Sequence, residues 1–404
     1  MFVRRLELEN FRNYRRLELD FSRRNNLICG ANAQGKTNIL EAIYLASCAR
    51  SHRTGKDREL IFHGEDSYKV KIDFTRDNGS EAILEIDYRQ GPGKKDRGLA
   101  AEAAKRTILV DNFPLERISD LFGQINAVIF APDDLMLIKE GPAGRRRFLD
   151  ILISQISPSY FRQLQLYQRQ LKQRNSILKQ TRDESPNLDA VAREWQRLNL
   201  EVWDRQLADS AAALIHKRVE ICAELKESAA KAMDLISDQR EDFSIRYIPP
   251  RAVDPEAAEA EISQAFFQRL NRTREEDILR GFTQEGPHRD DLEFLLNGFS
   301  AKLYASQGQQ RSMVLALKMA ELEVIESHCD VKAILLLDDV MSELDERRRE
   351  NILQIIENHQ VFVTCTDFSQ ISPQIFDQAE ANACFRVEAG KAWRVDPDEI
   401  KNAI

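Results

Sequence analysis

The 404-residue sequence predicts an α/β fold interrupted by a helical insertion. Three observations predict it. A short apolar run, Asn26-Leu27-Ile28-Cys29, leads into the glycine-bearing loop Gly30–Thr37 and then into a helical pattern from Asn38 to Ser47. Much later, the run Ala333–Leu337 ends in two adjacent carboxylates, Asp338 and Asp339. Between these segments, from about Gly144 to Asp238, the pattern is helical.

Taken in order, residues Phe2 to Phe21 alternate apolar and polar side chains on either side of Asn10-Phe11-Arg12-Asn13-Tyr14, which predicts two strands. Further strands are expected at Tyr68–Phe74, Ala82–Tyr88 and Ile108–Val110. The small, polar stretch GPGKKDRGLAAEAAK before the last of these predicts a mobile surface loop. In the helical middle, Val191, Trp195, Leu198 and Val202 recur at steps of four, three and four, as one face of a helix requires. The apolar heptads stop too soon for a long coiled coil. Leu292–Leu296 and Phe299–Leu303 flank Asn297-Gly298, a pair that favours a hairpin turn. A helix from about Gln309 to Glu326 and a β-branched run Val361–Thr364 complete the order. Three segments are therefore expected: 1–125 and 276–404 as two halves of one α/β unit, with 126–275 inserted between them.

Composition narrows the class. The chain is 43% hydrophobic and carries 58 basic against 66 acidic residues, a net charge of −8, as an ordinary globular protein does. Charge is unevenly placed: from Gly141 to Gln180 there are eight basic residues and one acid, Asp150. The six cysteines are scattered without metal-ligand or disulfide spacing, so a reducing compartment is expected. There is no signal-peptide pattern and no apolar run of about 20 residues. A cytoplasmic location with no membrane partner is the expectation.

Gly30-Ala31-Asn32-Ala33-Gln34-Gly35-Lys36-Thr37 fits the phosphate-loop pattern G-x-x-x-x-G-K-[ST] between a strand and a helix. Glycines let backbone N–H groups turn inward around a phosphate, and the helix start adds a positive dipole end. Lys36 would reach the β- and γ-phosphates of ATP and Thr37 would ligate Mg²⁺. Asp338 is expected to hold the Mg²⁺ shell and Asp339 to polarise the attacking water.

Two more segments resemble motifs of ABC ATPases. Ser306-Gln307-Gly308-Gln309-Gln310, just before a helix, is similar to the Ser-Gly-Gly-Gln signature with Gln307 in place of the first glycine. Ser342-Glu343-Leu344-Asp345 resembles the D-loop that follows the Asp-bearing strand. The resemblance implies an ABC-type head (lobe I) with an inserted helical lobe II. It also implies a head-to-tail homodimer formed on ATP, in which Ser306 and Gly308 of one copy meet the γ-phosphate held by the other. Two family features have no evident match. Gln124 lies too early for the Q-loop glutamine, and Thr366-Asp367 follows the last core strand where a switch histidine would stand.

The long interval between Lys36 and Asp338, filled by a compact helical insertion, is unlike a transporter subunit or a long-armed SMC protein. It resembles the RecF family. So do Leu8-Glu9-Asn10-Phe11-Arg12-Asn13-Tyr14, Ser51-His52-Arg53-Thr54, Pro132–Leu135 with Gly141–Asp150, Gly286–Asp291 and Leu337–Asp345. The resemblance implies an ATP-switched DNA-binding protein of recombinational repair, acting at junctions of single- and double-stranded DNA. It implies slow DNA-stimulated ATP hydrolysis and partnership with RecR, and through it RecO, in loading RecA. It also places Arg12 and Arg53 near the phosphate loop. The competing class is the ATPase of an SMC-like defence nuclease, for which a nuclease domain with clustered carboxylates would be expected, and the chain is expected to end too soon after Val361–Thr364 to hold one. DNA contacts are expected from Arg145, Arg146, Arg147, Arg169, Lys172 and Arg174. The alternative for each is a solvated helix face or, for Arg145–Arg147, a structural partner of buried carboxylates. His288 is expected to be a turn-stabilising hydrogen-bond partner.

Overall fold

A computed structural model describes residues 1–91, 104–184, 189–251, 253–342, 349, 358–367 and 382–396. The strands in chain order are β1 (Phe2–Phe11), β2 (Tyr14–Asp20), β3 (Asn25–Cys29), β4 (Ser67–Thr75), β5 (Glu81–Arg89), β6 (Lys105–Val110), β7 (Phe113–Pro114), β8 (Ala127–Phe130), β9 (Phe243–Ile248), β10 (Asp291–Leu296), β11 (Phe299–Ser300), β12 (Ile334–Leu337), β13 (Val361–Cys365), β14 (Asn382–Glu388) and β15 (Lys391–Val395). The helices are α1 (Lys36–Cys48), α2 (Met136–Lys139), α3 (Pro142–Ile156), α4 (Pro158–Glu184), α5 (Ala190–Ser237), α6 (Glu259–Arg280), α7 (Ala301–Tyr304) and α8 (Gln307–Cys329). Most of the loop expected at GPGKKDRGLAAEAAK and the D-loop residues Glu343–Asp345 lie outside the described residues.

The chain divides into two compact units, residues 1–135 with 314–404, and residues 136–313. The first unit holds two sheets. One is antiparallel, in the order β2-β1-β4-β5-β6-β7. Its strands alternate buried and exposed residues, as in β5, where Ala82, Leu84, Ile86 and Tyr88 point inward. The other has the order β15-β14-β3-β13-β12-β8 and is parallel apart from its edge strand β15. Every residue of β3, β8, β12 and β13 is buried, the signature of parallel strands covered on both faces. Pairing with β12 places β8 in this unit, beyond the expected boundary at residue 125.

The second unit packs α4, α5 and α6 with the small sheet β11-β10-β9. It extends past the expected boundary at 275, because β10 pairs with β9 and the first turns of α8 join this unit. Asn297 and Gly298 both have positive φ, 52° and 79°, as the hairpin turn requires. The second expected strand stops short: Ala301–Tyr304 is one helical turn, so β11 is only Phe299–Ser300.

One expected helix face turns outward, and one expected DNA contact is corrected. Val191, Trp195, Leu198 and Val202 do share one side of α5, but that side is exposed, with Trp195 70% exposed. The buried side carries Leu200, Leu207, Ala208 and Ala211 instead. Arg174, expected as a DNA contact, is fully buried. Its Nε donates to Asp204 at 2.6 Å, and one terminal nitrogen donates to Asp277 and Thr283, each at 2.7 Å. Asp204 also accepts from Arg274 at 2.7 Å. This cluster ties α4, α5 and α6 together.

Removing Arg174 leaves buried Asp277 without its cation and Asp204 with Arg274 alone. Arg174→Ala is expected to lower unfolding stability by about 3–5 kcal/mol, measured from the denaturant midpoint of the helical unit's transition.

Candidate nucleotide site

β3 delivers the chain to Gly30 under tight constraint. A Cβ on Gly30 would come within 2.2 Å of the Val387 carbonyl oxygen, so the β14 backbone admits only glycine. Gly35 adopts φ 118°, and a Cβ there would meet the Asn13 amide at 2.5 Å and the Tyr14 hydroxyl at 2.8 Å. Asn13 holds the loop from the β1–β2 turn: its Nδ2 donates to the Gln34 carbonyl at 2.7 Å, and its Oδ1 accepts from Asn38 at 2.8 Å. The Gln34 side chain in turn accepts from the Ala389 N–H at 2.6 Å. Ala31, Asn32 and Ala33 form the exposed crest, with Ala33 at φ 65°.

The reactive side chains converge below this loop. Lys36 is buried, and its ammonium donates to the Gly30 carbonyl at 2.7 Å and the Ala31 carbonyl at 3.4 Å. Its nearest carboxylate is Asp339, at 3.9 Å. Thr37 Oγ1 donates to Asp338 Oδ1 at 2.9 Å, and Thr364 Oγ1 donates to the same oxygen at 2.8 Å. The Asp339 N–H donates to Thr364 Oγ1 at 2.8 Å, which sets the unusual φ of 51° at Asp339. Burial pushes the Asp338 carboxyl above its ordinary range, although the two threonine hydroxyls pull it back.

A hydroxyl and a carboxylate in contact suit a hard divalent cation that keeps most of its coordination for water and phosphate oxygens. Among the described residues no group of three or more His, Cys, Asp or Glu side chains could hold a metal. A Mg²⁺ here would therefore need the oxygens of a bound nucleotide, and Thr37 with Asp338 fit that requirement.

Thr364 was not anticipated from sequence. A threonine inside a β-branched run gives no sign that its hydroxyl turns toward the Asp-bearing strand. Arg12 is near the loop in the chain fold but differently employed. Its Nε and one terminal nitrogen donate to Glu41 at 2.8 and 2.6 Å, and the other terminal nitrogen donates to the Glu59 carbonyl at 2.7 Å. Glu41 is fully buried and also accepts from Ser51, while Arg53 stands 3.6 Å away. Arg12 thus anchors α1 rather than reaching into the phosphate loop.

Ser306 is exposed at the start of α8 and belongs to the helical unit. Its Oγ accepts from the Gln309 N–H at 3.3 Å, and Gln309 Oε1 accepts from the Ser306 N–H at 2.8 Å, a reciprocal cap. Gly308 lies in the first turn and is half-buried. Gln124 is half-buried, with its amide directed at the Asp120 carbonyl.

The family of the RecF/RecN/SMC N terminal domain matches residues 2–388. The DNA replication and repair protein RecF of Acetivibrio thermocellus is 41% identical over 97% of this chain and all of its own length. The chain belongs to the RecF family. RecF of Bacillus mycoides is 39% identical over 94% of this chain and 96% of its own. A solved structure of the recombination mediator protein RecF-ATP in the RecFOR pathway superposes with TM-score 0.85 at 34% identity, covering 98% of this chain and 97% of that one. An Smc head domain from Pyrococcus furiosus, 14% identical with TM-score 0.50, shares the fold. The architecture is that of an ABC-type head with an inserted helical unit, and no helix among the described residues is long and apolar enough to cross a membrane.

The RecF-like segments at 141–150 and 286–291 turn out to hold one another. Arg145 is buried and pairs with Asp291 through two bonds of 2.7 and 2.8 Å, while Arg146 donates to the Asp290 carbonyl at 2.7 Å. Buried Arg218 joins Asp150 at 2.7 Å and also pairs with Asp290. His288 Nδ1 accepts from the Tyr167 hydroxyl at 2.6 Å and its Nε2 faces the Thr283 carbonyl at 3.2 Å. Burial lowers its pKa to about 4, so it is neutral near pH 7. Arg145 and Arg174 are accordingly structural and are withdrawn as DNA contacts. Arg147 is half-buried, whereas Arg169 and Lys172 are exposed on α4.

Burial raises the Glu41 carboxyl, but the Arg12 and Ser51 hydrogen bonds outweigh it and hold the folded-state value below 4.5. The resulting stabilisation is complete above the unfolded value and is lost as pH falls through the lowered one. Glu41→Gln should therefore cost about 1.5–3 kcal/mol near neutrality. Urea titrations are expected to show its gap from wild type narrowing as the pH is lowered toward about 3.

Proposed function

We propose that this chain is an ATP-switched DNA-binding protein of recombinational repair. The observation that carries the reading is the convergence of Lys36, Thr37 and Asp338 beneath a loop whose Gly30 and Gly35 leave no room for a side chain. ATP would lie with its phosphates in the loop from Gly30 to Thr37. Lys36 would move from the loop carbonyls to the β- and γ-phosphates, and Thr37 and Asp338 would hold Mg²⁺. Asp339, bordering the same cluster, would orient the attacking water. With a short aspartate in that position, hydrolysis is slow and serves as release rather than as metabolic turnover.

One copy cannot complete this site. Exposed Ser306 and the first turn of its helix form an anion-binding helix start, suited to the γ-phosphate on a second copy. ATP then favours the dimer by mass action, because it binds the closed state more tightly than the open one. The solved relative with RecF-ATP supports the nucleotide. RecR, RecO and RecA as pathway partners, and a cytoplasmic location, follow from membership of the family.

For DNA, the exposed cations of α4 supply the surface. Arg162, Arg169, Lys172 and Lys179 recur at steps of seven, three and seven, which keeps them on one side of the helix. Arg174 falls on another side and is buried there. Such a stripe reads phosphates rather than bases.

Ser306→Arg should leave ATP binding by the monomer intact and remove the mass increase that ATP causes; equal sedimentation of wild type with and without ATP would end the dimer reading. Reversing charge at Arg169 and Lys172 together is expected to weaken duplex DNA binding and to flatten the log–log salt slope by roughly 0.9 for each phosphate no longer neutralised. Unchanged affinity would place the DNA elsewhere.

A further inference from the structure

β3 and β13 each end in a cysteine. Cys29 and Cys365 are in-register partners on these adjacent parallel strands, so their side chains leave the sheet on the same face. Neighbouring strands run about 4.8 Å apart, inside the Cα separation of about 4.4–6.8 Å that a disulfide accepts. Both thiols are buried, with Cys29 Sγ directed at the Thr366 carbonyl at 3.4 Å and Cys365 Sγ at the Ile28 carbonyl at 4.0 Å. The next residue after Cys29 is Gly30, whose N–H donates to the Cys365 carbonyl at 3.2 Å. Gly30 is also pressed against the Val387 carbonyl of β14. The loop's first residue is therefore wedged between two strands, with the thiol pair at its base.

We propose that Cys29 and Cys365 form a peroxide-sensitive dithiol whose closure to a disulfide deforms the phosphate loop and weakens nucleotide binding. The environment divides the roles. The neighbouring Cys365 thiol, with the Arg386 and Lys36 cations, holds Cys29 below the ordinary thiol range despite its burial, whereas Cys365 is pushed up. Cys29 attacks first, as its thiolate. It forms an S–O bond with hydrogen peroxide as the O–O bond breaks, and the departing hydroxide takes a proton to become water. The Cys365 sulfur then attacks the Cys29 sulfenic acid: the S–S bond forms, the S–O bond breaks, and the Cys365 thiol proton leaves with the second water. Two electrons pass from the thiols to the peroxide, and no other oxidant is needed.

Cys222 and Cys384 are poor competitors. Burial pushes Cys222 up to about 12 and Cys384 up to about 11, so neither carries appreciable thiolate near neutral pH. Cys384 pairs across β14 with Leu27 rather than with Cys29. Closing the bond draws the Cys29 sulfur toward β13, and Gly30 has no slack on its β14 side to follow. The effect on nucleotide rests on the reading of this loop as a phosphate cradle; the cross-link does not.

The full-length protein is treated with hydrogen peroxide, denatured, alkylated with iodoacetamide and weighed. Two of the six cysteines should escape alkylation, a peptide pair joined through Cys29 and Cys365 should appear, and dithiothreitol should restore both. Cys29→Ser and Cys365→Ser should each abolish the joined pair, while Cys222→Ser should not. Affinity for a fluorescent ATP analogue should fall at least about tenfold in oxidised wild type and stay unchanged in peroxide-treated Cys365→Ser. Full alkylation after peroxide overturns the proposal, and so does a joined pair with unchanged affinity. Reduced protein that binds no ATP analogue would sink the cradle reading and the gating with it, while the mass still scores the cross-link.

Discussion

One carboxylate oxygen organises the nucleotide site. Asp338 Oδ1 accepts from Thr37 at the start of α1 and from Thr364 in β13. These two hydroxyls, with the strand β12 that carries the aspartate, fix the relative positions of three elements that are remote in sequence. The same oxygen lies at the place where a divalent cation would be held. A hydroxyl–carboxylate contact can open to admit a cation with little rearrangement, because both groups are already oriented as oxygen ligands. Thr364 extends the arrangement by accepting from the Asp339 N–H, and the Asp339 carboxylate stands 3.9 Å from the Lys36 ammonium.

The helical unit relies on a different device. Its long helices meet through buried guanidinium groups, each serving several carboxylates: Arg174 across α4, α5 and α6, and Arg218 between Asp150 and Asp290. Such clusters gain little net stability over apolar packing, but each is costly to break, because the remaining charge has no water to turn to. They also impose direction. A planar fork satisfied by two or three fixed partners accepts one register of the helices, where an apolar stripe would accept several.

Much of this was legible in sequence. The phosphate loop and the Asp-Asp strand are local patterns whose chemistry dictates spacing, and their flanking elements formed as expected, α1 running from Lys36 to Cys48 and β12 from Ile334 to Leu337. The hairpin at Asn297-Gly298 also formed, since positive φ is a single-residue property. What failed were statements about partners. Arg174 and Lys172 look alike in sequence, yet one is sealed among carboxylates and the other is exposed. Periodicity identified a shared face at Val191, Trp195, Leu198 and Val202 but not which way that face turns. Arg12 was expected beside phosphate, and the Glu41 that claims it lies 29 residues away. Helix period and turn chemistry are local; the choice of a charge partner is decided by the assembled fold.

The order of strands in the parallel sheet bears on how the protein is made. β3 leaves the ribosome early, yet both of its neighbours, β13 and β14, are encoded near the far end of the chain. Until they emerge, a strand that is fully buried in the finished fold has no permanent partner. Sheets closed by such distant segments form slowly, and their early edges invite mispairing. The intervening helical unit can reach its own fold while this vacancy persists. Nascent-chain chaperoning therefore matters most for the segment that leads into the glycine-bearing loop.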